Sequence, residues 1–200
     1  MRYEMKPLAC DPARLSGLSE KLIVSHYENN YGGAVKRLNA ITAELSALDV
    51  AAAPVFVLNG LKREELIAAN SMILHEVYFD SLGVGGSPGG GPGGELEAAL
   101  VRDFGSVARW QAEFTAMGKA LGGGSGWVLL TYSARDARLV NQWASDHAHT
   151  LAGATPILAL DMYEHSYHMD YGARAAAYVD AFMQNINWAR VADRLAHVRK

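Results

Sequence analysis

Asp161, Glu164, His165 and His168 fall within one stretch of eight residues, directly after the apolar run Pro156-Ile157-Leu158-Ala159-Leu160. A buried strand that ends in so many ionisable groups has two readings. Asp161 and His165 are four apart, so on a helix starting at Asp161 both would share one face. A carboxylate and an imidazole placed that way make half of a metal site, of the kind that suits Fe, Mn or Zn. The other reading is a D-x-x-E capping box, in which Asp161 and Glu164 only start a helix. Spacing leaves both open.

The chain has seven histidines: His26, His75, His147, His149, His165, His168 and His197. A lone His on a helix is usually a surface or satisfied core residue. His26 and His75 are set apart by context. Each sits in the middle of an apolar helical pattern, His26 beside Leu22 and His75 beside Tyr78 and Leu82. A buried imidazole without a partner costs free energy. A metal shared with Asp161 and His165 would supply that partner.

These residues need elements to hold them. LSGLSEKLIVSHYENN reads as an amphipathic helix capped by Ser16 or Ser19, and Gly32-Gly33 interrupts it. AVKRLNAITAELSAL reads as a second helix and residues 63–82 as a third, giving an antiparallel hairpin with a companion. The glycine-rich GVGGSPGGGPGGE that follows cannot hold regular structure. It predicts a linker over 83–94 between an N-terminal helical domain, 1–82, and a second domain, 95–200. In the second part, ELEAALVRDFG and SVARWQAEFTAMGKAL are helical, and GGGSG stops them. WVLLTYSARDARLVNQWA reads as two strands around a turn, and PILALD as a short buried strand. MYEHSYHMDY begins a helical stretch, and RAAAYVDAFMQNINWARVADRLAHV closes the chain as one more helix. The expected fold is α+β: a helical hairpin domain, then an α/β domain with a small antiparallel sheet.

Composition narrows the function classes. The 200 residues are half hydrophobic and 20% charged, with net charge −3. Lys and Arg are scattered, which argues against nucleic acid as a partner. No apolar run approaches the roughly 18 residues of a membrane span. Cys10 is the one cysteine, so no internal disulfide forms. The first ten residues hold no signal-peptide core, and the expected location is cytoplasmic.

The segment Asp161-Met162-Tyr163-Glu164-His165-Ser166-Tyr167 resembles the D-x-W-E-H-[AS]-Y signature of the iron/manganese superoxide dismutases. The resemblance covers nearly the whole chain. LSEKLIVSHYENN with the later VKRLN resembles the family's first helix, and SMILHEVYF its second ligand helix. DFGSVARWQAEFTAMGKALGGGSGWVLL resembles the region that brings a Trp, here Trp127, to the metal pocket, and NINW resembles the family's C-terminal VNW. The resemblance implies one Fe or Mn ion per chain, held by His26, His75, Asp161 and His165. It implies a substrate, superoxide, converted to O₂ and H₂O₂ as the metal cycles between divalent and trivalent states. It also implies a homodimer or tetramer in which Glu164 reaches the partner's ligand His165.

The chain departs from that family around the metal. The gateway Tyr falls at Ala34 and its partner His at Asn30. The signature Trp is Tyr163, and the Tyr expected directly after the seven-residue signature is His168. The rim Arg falls at Ala175, one residue from Arg174. The Gln beside metal-bound solvent falls at Ser71 or, in the alternative position, at His147, with His149 if the gap is placed differently. The expected catalytic set is therefore His147, His168, Asn30, Tyr31, Glu164 and Trp127, a rebuilt proton relay. A metal-binding homologue with weak dismutation, or another redox activity on the same scaffold, is the alternative. Lys36, Arg37 and Arg174 are the candidates for a cationic rim.

Overall fold

The structure is a computed structural model that describes residues 2–83 and 90–199. The centre of the expected glycine-rich linker, 84–89, lies outside the described residues. The chain opens with a helical arm. Ser19 caps α1 (Glu20–Ser25) by accepting a hydrogen bond from the Leu22 N–H at 3.1 Å. α1 continues through a π-helical segment, His26–Tyr31, into α2 (Gly32–Ala47) without a break. The expected interruption at Gly32-Gly33 is absent. Glycine inside a helix costs only about 1 kcal/mol, and a Cβ at Gly32 would lie 3.1 Å from the Met5 sulfur. The small residue lets the N-terminal segment close over the helix.

α3 (Val55–Ser81) returns antiparallel to this arm and completes the hairpin. It begins eight residues before the expected start. Its first two turns, VFVLNGLK, carry no capping side chain and no amphipathic contrast, so the sequence pattern there is silent. Leu22, Ile23, Leu38, Tyr78, Phe79 and Leu82 are buried in the shared core.

α4 (Gly94–Phe104) and α5 (Val107–Ala120) precede the sheet. β1 (Trp127–Ser133), β2 (Arg138–Ala144) and β3 (Ala154–Asp161) form a three-stranded antiparallel sheet in the order β2-β1-β3. Trp127 pairs with Asp161 in the β1–β3 register. The fold is α+β, with helices covering a small sheet.

Two expectations fail after β3. No helix starts at Asp161: it is the last residue of the strand. Its Oδ1 accepts the Tyr163 N–H at 2.8 Å, an Asx turn that leads into a 3₁₀ turn at Glu164–Ser166. The side chain bonds two residues on rather than three, so no capping box forms. The short α6 (His168–Tyr171) follows. The closing helix is two helices, α7 (Ala175–Gln184) and α8 (Trp188–Val198). Between them Asn185 bonds the backbone of Ser16 and the carbonyl of Ala181, Ile186 bridges to Leu82, and Asn187 caps α8. Tertiary bonds to the distant N-terminal segment overrule the local helical pattern.

Candidate metal centre

Four side chains from four elements converge. His26 opens the π-helical segment, His75 lies in α3, Asp161 ends β3, and His165 sits in the 3₁₀ turn. One donor atom from each lies within 4.8 Å of all the others. A π segment inside an α-helix recurs at functional sites, because it re-aims one side chain without ending the helix. Here that segment opens at His26.

The Nε2 atoms of His26, His75 and His165 lie 3.2, 3.5 and 3.3 Å from Asp161 Oδ2. His26, His75 and Asp161 are fully buried, while the His165 side chain keeps 27% exposure. The Nε2 atoms of His26 and His75 make no hydrogen bond, and neither does Nδ1 of His26. Burying such nitrogens unpartnered is costly, and the constellation fits a cation that accepts the lone pairs of the two Nε2 atoms. Three imidazole nitrogens and one carboxylate oxygen, with no thiolate, suit Fe or Mn.

The protonation states agree with that use. Burial would raise the Asp161 pKa, but the imidazoles of His165 and His26 beside it hold it well below the usual carboxylate range. Burial lowers the His26 pKa, and burial together with the neighbouring His26 lowers that of His75 to about 3. Both rings are neutral at physiological pH. His75 Nδ1 donates to the Ser71 carbonyl at 2.7 Å. A carbonyl only accepts, so the proton is on Nδ1 and Nε2 presents its lone pair.

The surrounding residues fall into groups. Trp127 is fully buried, stands edge-on to His75 at 5.3 Å, and donates from Nε1 to His147 Nδ1 at 3.0 Å. The neutral His147 ring therefore carries its proton on Nε2. Asn70 holds the His147 carbonyl at 2.6 Å. Tyr163 stacks between His147 and His165, 4.8 and 5.4 Å from their ring centres. His149 is exposed against Trp143 and bonds Ser145, so His147 and not His149 is brought to the cluster.

Asn30 and Ala34 line a hollow with His147 and Ser71. Tyr31 stacks on His75 and turns its hydroxyl the other way. It accepts the Lys6 N–H at 2.8 Å and donates to Glu76 at 3.2 Å. Burial pushes its phenol up to about 12.

Glu164 and His168 are exposed on the surface of the single chain. His168 does not join the cluster: the turn that replaces the expected helix points it outward. Ala175 is buried, while Arg174 is exposed at the start of α7 and forms no ion pair among the described residues. Lys36 lines a different hollow, with Arg2 and Asn39.

Sequence reasoning did not find two supports. One is the stacking role of Tyr163. The other is Tyr178, whose hydroxyl donates to the Asp161 carbonyl at 2.8 Å. Tyr178 lies 17 residues from its partner, and no local spacing points to the pair.

Comparison with known proteins agrees with this geometry. Residues 92–194 match the profile described as iron/manganese superoxide dismutases, C-terminal domain. A superoxide dismutase named for Fe, from Cupriavidus metallidurans, is 82% identical over 98% of both chains. A superoxide dismutase named for Mn, from Halobacterium salinarum, is 34% identical, covering 96% of this chain and 94% of that one. One named for Fe, from Aquifex aeolicus, is 32% identical over 94% and 89%. The chain belongs to the iron/manganese superoxide dismutase family.

Proposed function

We propose that this chain is a superoxide dismutase, an oxidoreductase that converts two superoxide ions and two protons into O₂ and H₂O₂. The observation that carries the reading is the buried three-imidazole, one-carboxylate cluster with orphaned Nε2 atoms on His26 and His75. His26, His75, Asp161 and His165 hold one Fe or Mn ion. Iron is the metal we assign, on the strength of the 82% identical relative named for it. When bound, the ion supplies a one-electron couple between its divalent and trivalent states.

The protein's own part is orientation and proton supply. Asp161 stays ionised and the two buried imidazoles stay neutral, so no ligand is lost to a proton near pH 7. The Ser71 carbonyl fixes the His75 ring. Trp127 fixes His147, which stands where the family's Gln is expected and holds a proton on Nε2. Asn30 adds an amide donor beside it. Tyr163 keeps the His147 and His165 rings parallel, and Tyr31 packs against His75 from the other side.

We assign Glu164 and His168 to a homodimer interface, in which Glu164 meets the partner's ligand turn. The partly open His165 edge, the exposed Glu164 and His168, and Met169 at 48% exposure support this. We place the protein in the cytoplasm. Cys10 is half-buried with its thiol pushed up by burial, which suits a reducing compartment. No described helix is long and apolar enough to cross a membrane.

A second reading, a metal-binding homologue with weak dismutation, is favoured by one observation: among the described residues, no phenol hydroxyl lines the hollow beside Ala34. One paired experiment separates the two. Metal content by mass spectrometry and superoxide decay by pulse radiolysis are measured on the same sample. Near-stoichiometric iron with fast decay is expected; the same iron with slow decay establishes the second reading. His75→Ala is expected to abolish both metal and decay, and a variant that keeps them refutes the four-ligand centre.

A further inference from the structure

β3 carries one residue more than its pairing with β1 needs. Trp127 pairs with Asp161 and Leu130 with Leu158, but Thr131 pairs with Pro156. Ile157 falls between the two runs without a partner on β1, and so forms a β-bulge. Pro156 beside it has no N–H to give to a ladder, which suits a bulge on an edge strand. The bulge decides which way Asp161 faces. Side chains alternate between the two faces of a strand, so a slip of one residue exchanges them. Without the extra residue, the register of 131–133 would carry on and set Leu160, not Asp161, opposite Trp127. Asp161 would then turn to the face where Leu160 now packs over Gly118 of α5.

Arg194 of α8 closes over this bulge. One guanidinium nitrogen donates to the Ile157 carbonyl at 2.9 Å and to the Ser81 hydroxyl at 3.0 Å, and the other pairs with the Asp80 carboxylate. The Ser81 hydroxyl gives its own proton to the Val77 carbonyl at 2.6 Å, which leaves its oxygen free to accept. Asp80 and Ser81 end α3, the helix that carries His75. Ile157 lies in β3, the strand that ends in Asp161. One planar fork, only 19% exposed, therefore joins the supports of two metal ligands. Arg190 reaches the same Asp80 carboxylate at 3.7 Å from a more exposed position, and makes no bond to the bulge among the described residues.

We propose that Arg194 is a positioning residue for the metal centre: it holds the bulge at Ile157 against the end of α3, and so fixes the register that turns Asp161 towards His26, His75 and His165. Arg194 contacts none of these four residues and acts through the β3 backbone and the α3 terminus. The inference rests on the four-ligand centre of the dismutase reading, and not on superoxide turnover.

The test uses the iron-loaded protein. Electron paramagnetic resonance of the ferric ion reads the symmetry of its ligands, and competition with a chelator reads iron retention. Arg194→Met keeps an apolar stem and removes every donor. It is expected to split the ferric signal into more than one species and to weaken iron retention about tenfold. Arg194→Lys keeps a charge for Asp80 but lacks the planar fork, and is expected to change the signal in the same direction by less. Arg190→Met removes a charge from the same cluster without touching the bulge, and is expected to keep the wild-type signal. Wild-type signal and retention in both Arg194 variants, whatever their loss of stability to denaturant, overturns the assignment. So does an Arg190→Met signal as disturbed as that of Arg194→Met, because charge and not the bulge contact would then be responsible. If Arg194→Met does not fold, the Arg194→Lys signal decides alone. The two readings fail separately. Slow superoxide decay by iron-loaded wild type sinks the dismutase reading alone. Fast decay with undisturbed Arg194 variants sinks the positioning role alone.

Discussion

The Asp161 carboxylate divides its two oxygens between two tasks. Oδ1 is held by the Tyr163 N–H, and Oδ2 faces three imidazoles. A second constraint of this kind is the Trp127–His147 hydrogen bond, which fixes the tautomer of a ring poised at the hollow. Trp127→Phe leaves the four ligands in place but frees that ring. The expected outcome is normal iron content, superoxide decay slowed by about tenfold and a displaced pH profile, read by pulse radiolysis. The histidine shifts also predict a pH dependence for metal-stripped protein. His75 titrates at 6.5 when unfolded and near 3 when folded, so the unfolded chain binds the extra proton between those values. Stability is full above about pH 6.5 and falls as pH drops towards about 3, which thermal unfolding across that range will register. Spacing and burial context already suggested His26, His75, Asp161 and His165 as one cluster, and the family resemblance made them an implied ligand set. Spacing pointed to a helix carrying Asp161 and His165 on one face; the structure reaches the same proximity through a strand end and a 3₁₀ turn.

Among the elements, β1 and β3 do the most to hold the centre, since Trp127 and Asp161 are paired neighbours at their ends. Gly126 sets that pairing. Its φ is +129°, a Cβ there would lie 2.3 Å from the Ala144 carbonyl oxygen, and its own carbonyl accepts the Met162 N–H at 2.9 Å. Gly126→Ala is expected to cost about 1–3 kcal/mol or more by chemical denaturation, and to lower iron content by displacing Trp127 and Asp161 together. The strands were readable from their short apolar runs and the turn residues between them, and the amphipathic helices from their period. What escaped were features set by distant partners. The break at Asn185–Asn187 depends on Ser16 and Leu82. The unbroken helix through Gly32 depends on Met5 packing over it. The early start of α3 lies in a stretch that lacks both caps and contrast.

At the scale of the whole molecule, the single chain leaves one ligand edge open to solvent, at His165, beside the exposed Glu164, His168 and Met169. If a second copy covers that edge, a charge placed there will separate the subunits. Met169→Glu is expected to shift sedimentation from dimer to monomer, with the ligands of each subunit still intact and iron held more loosely. The order of the ligands along the chain has a further consequence. His26 and His75 belong to the helical hairpin, Asp161 and His165 to the sheet end, and three of the four are buried where these parts meet. Neither part alone presents the full donor set. A chain cut between His75 and Asp161 would leave two donors on each piece, so a full site needs both parts made and docked.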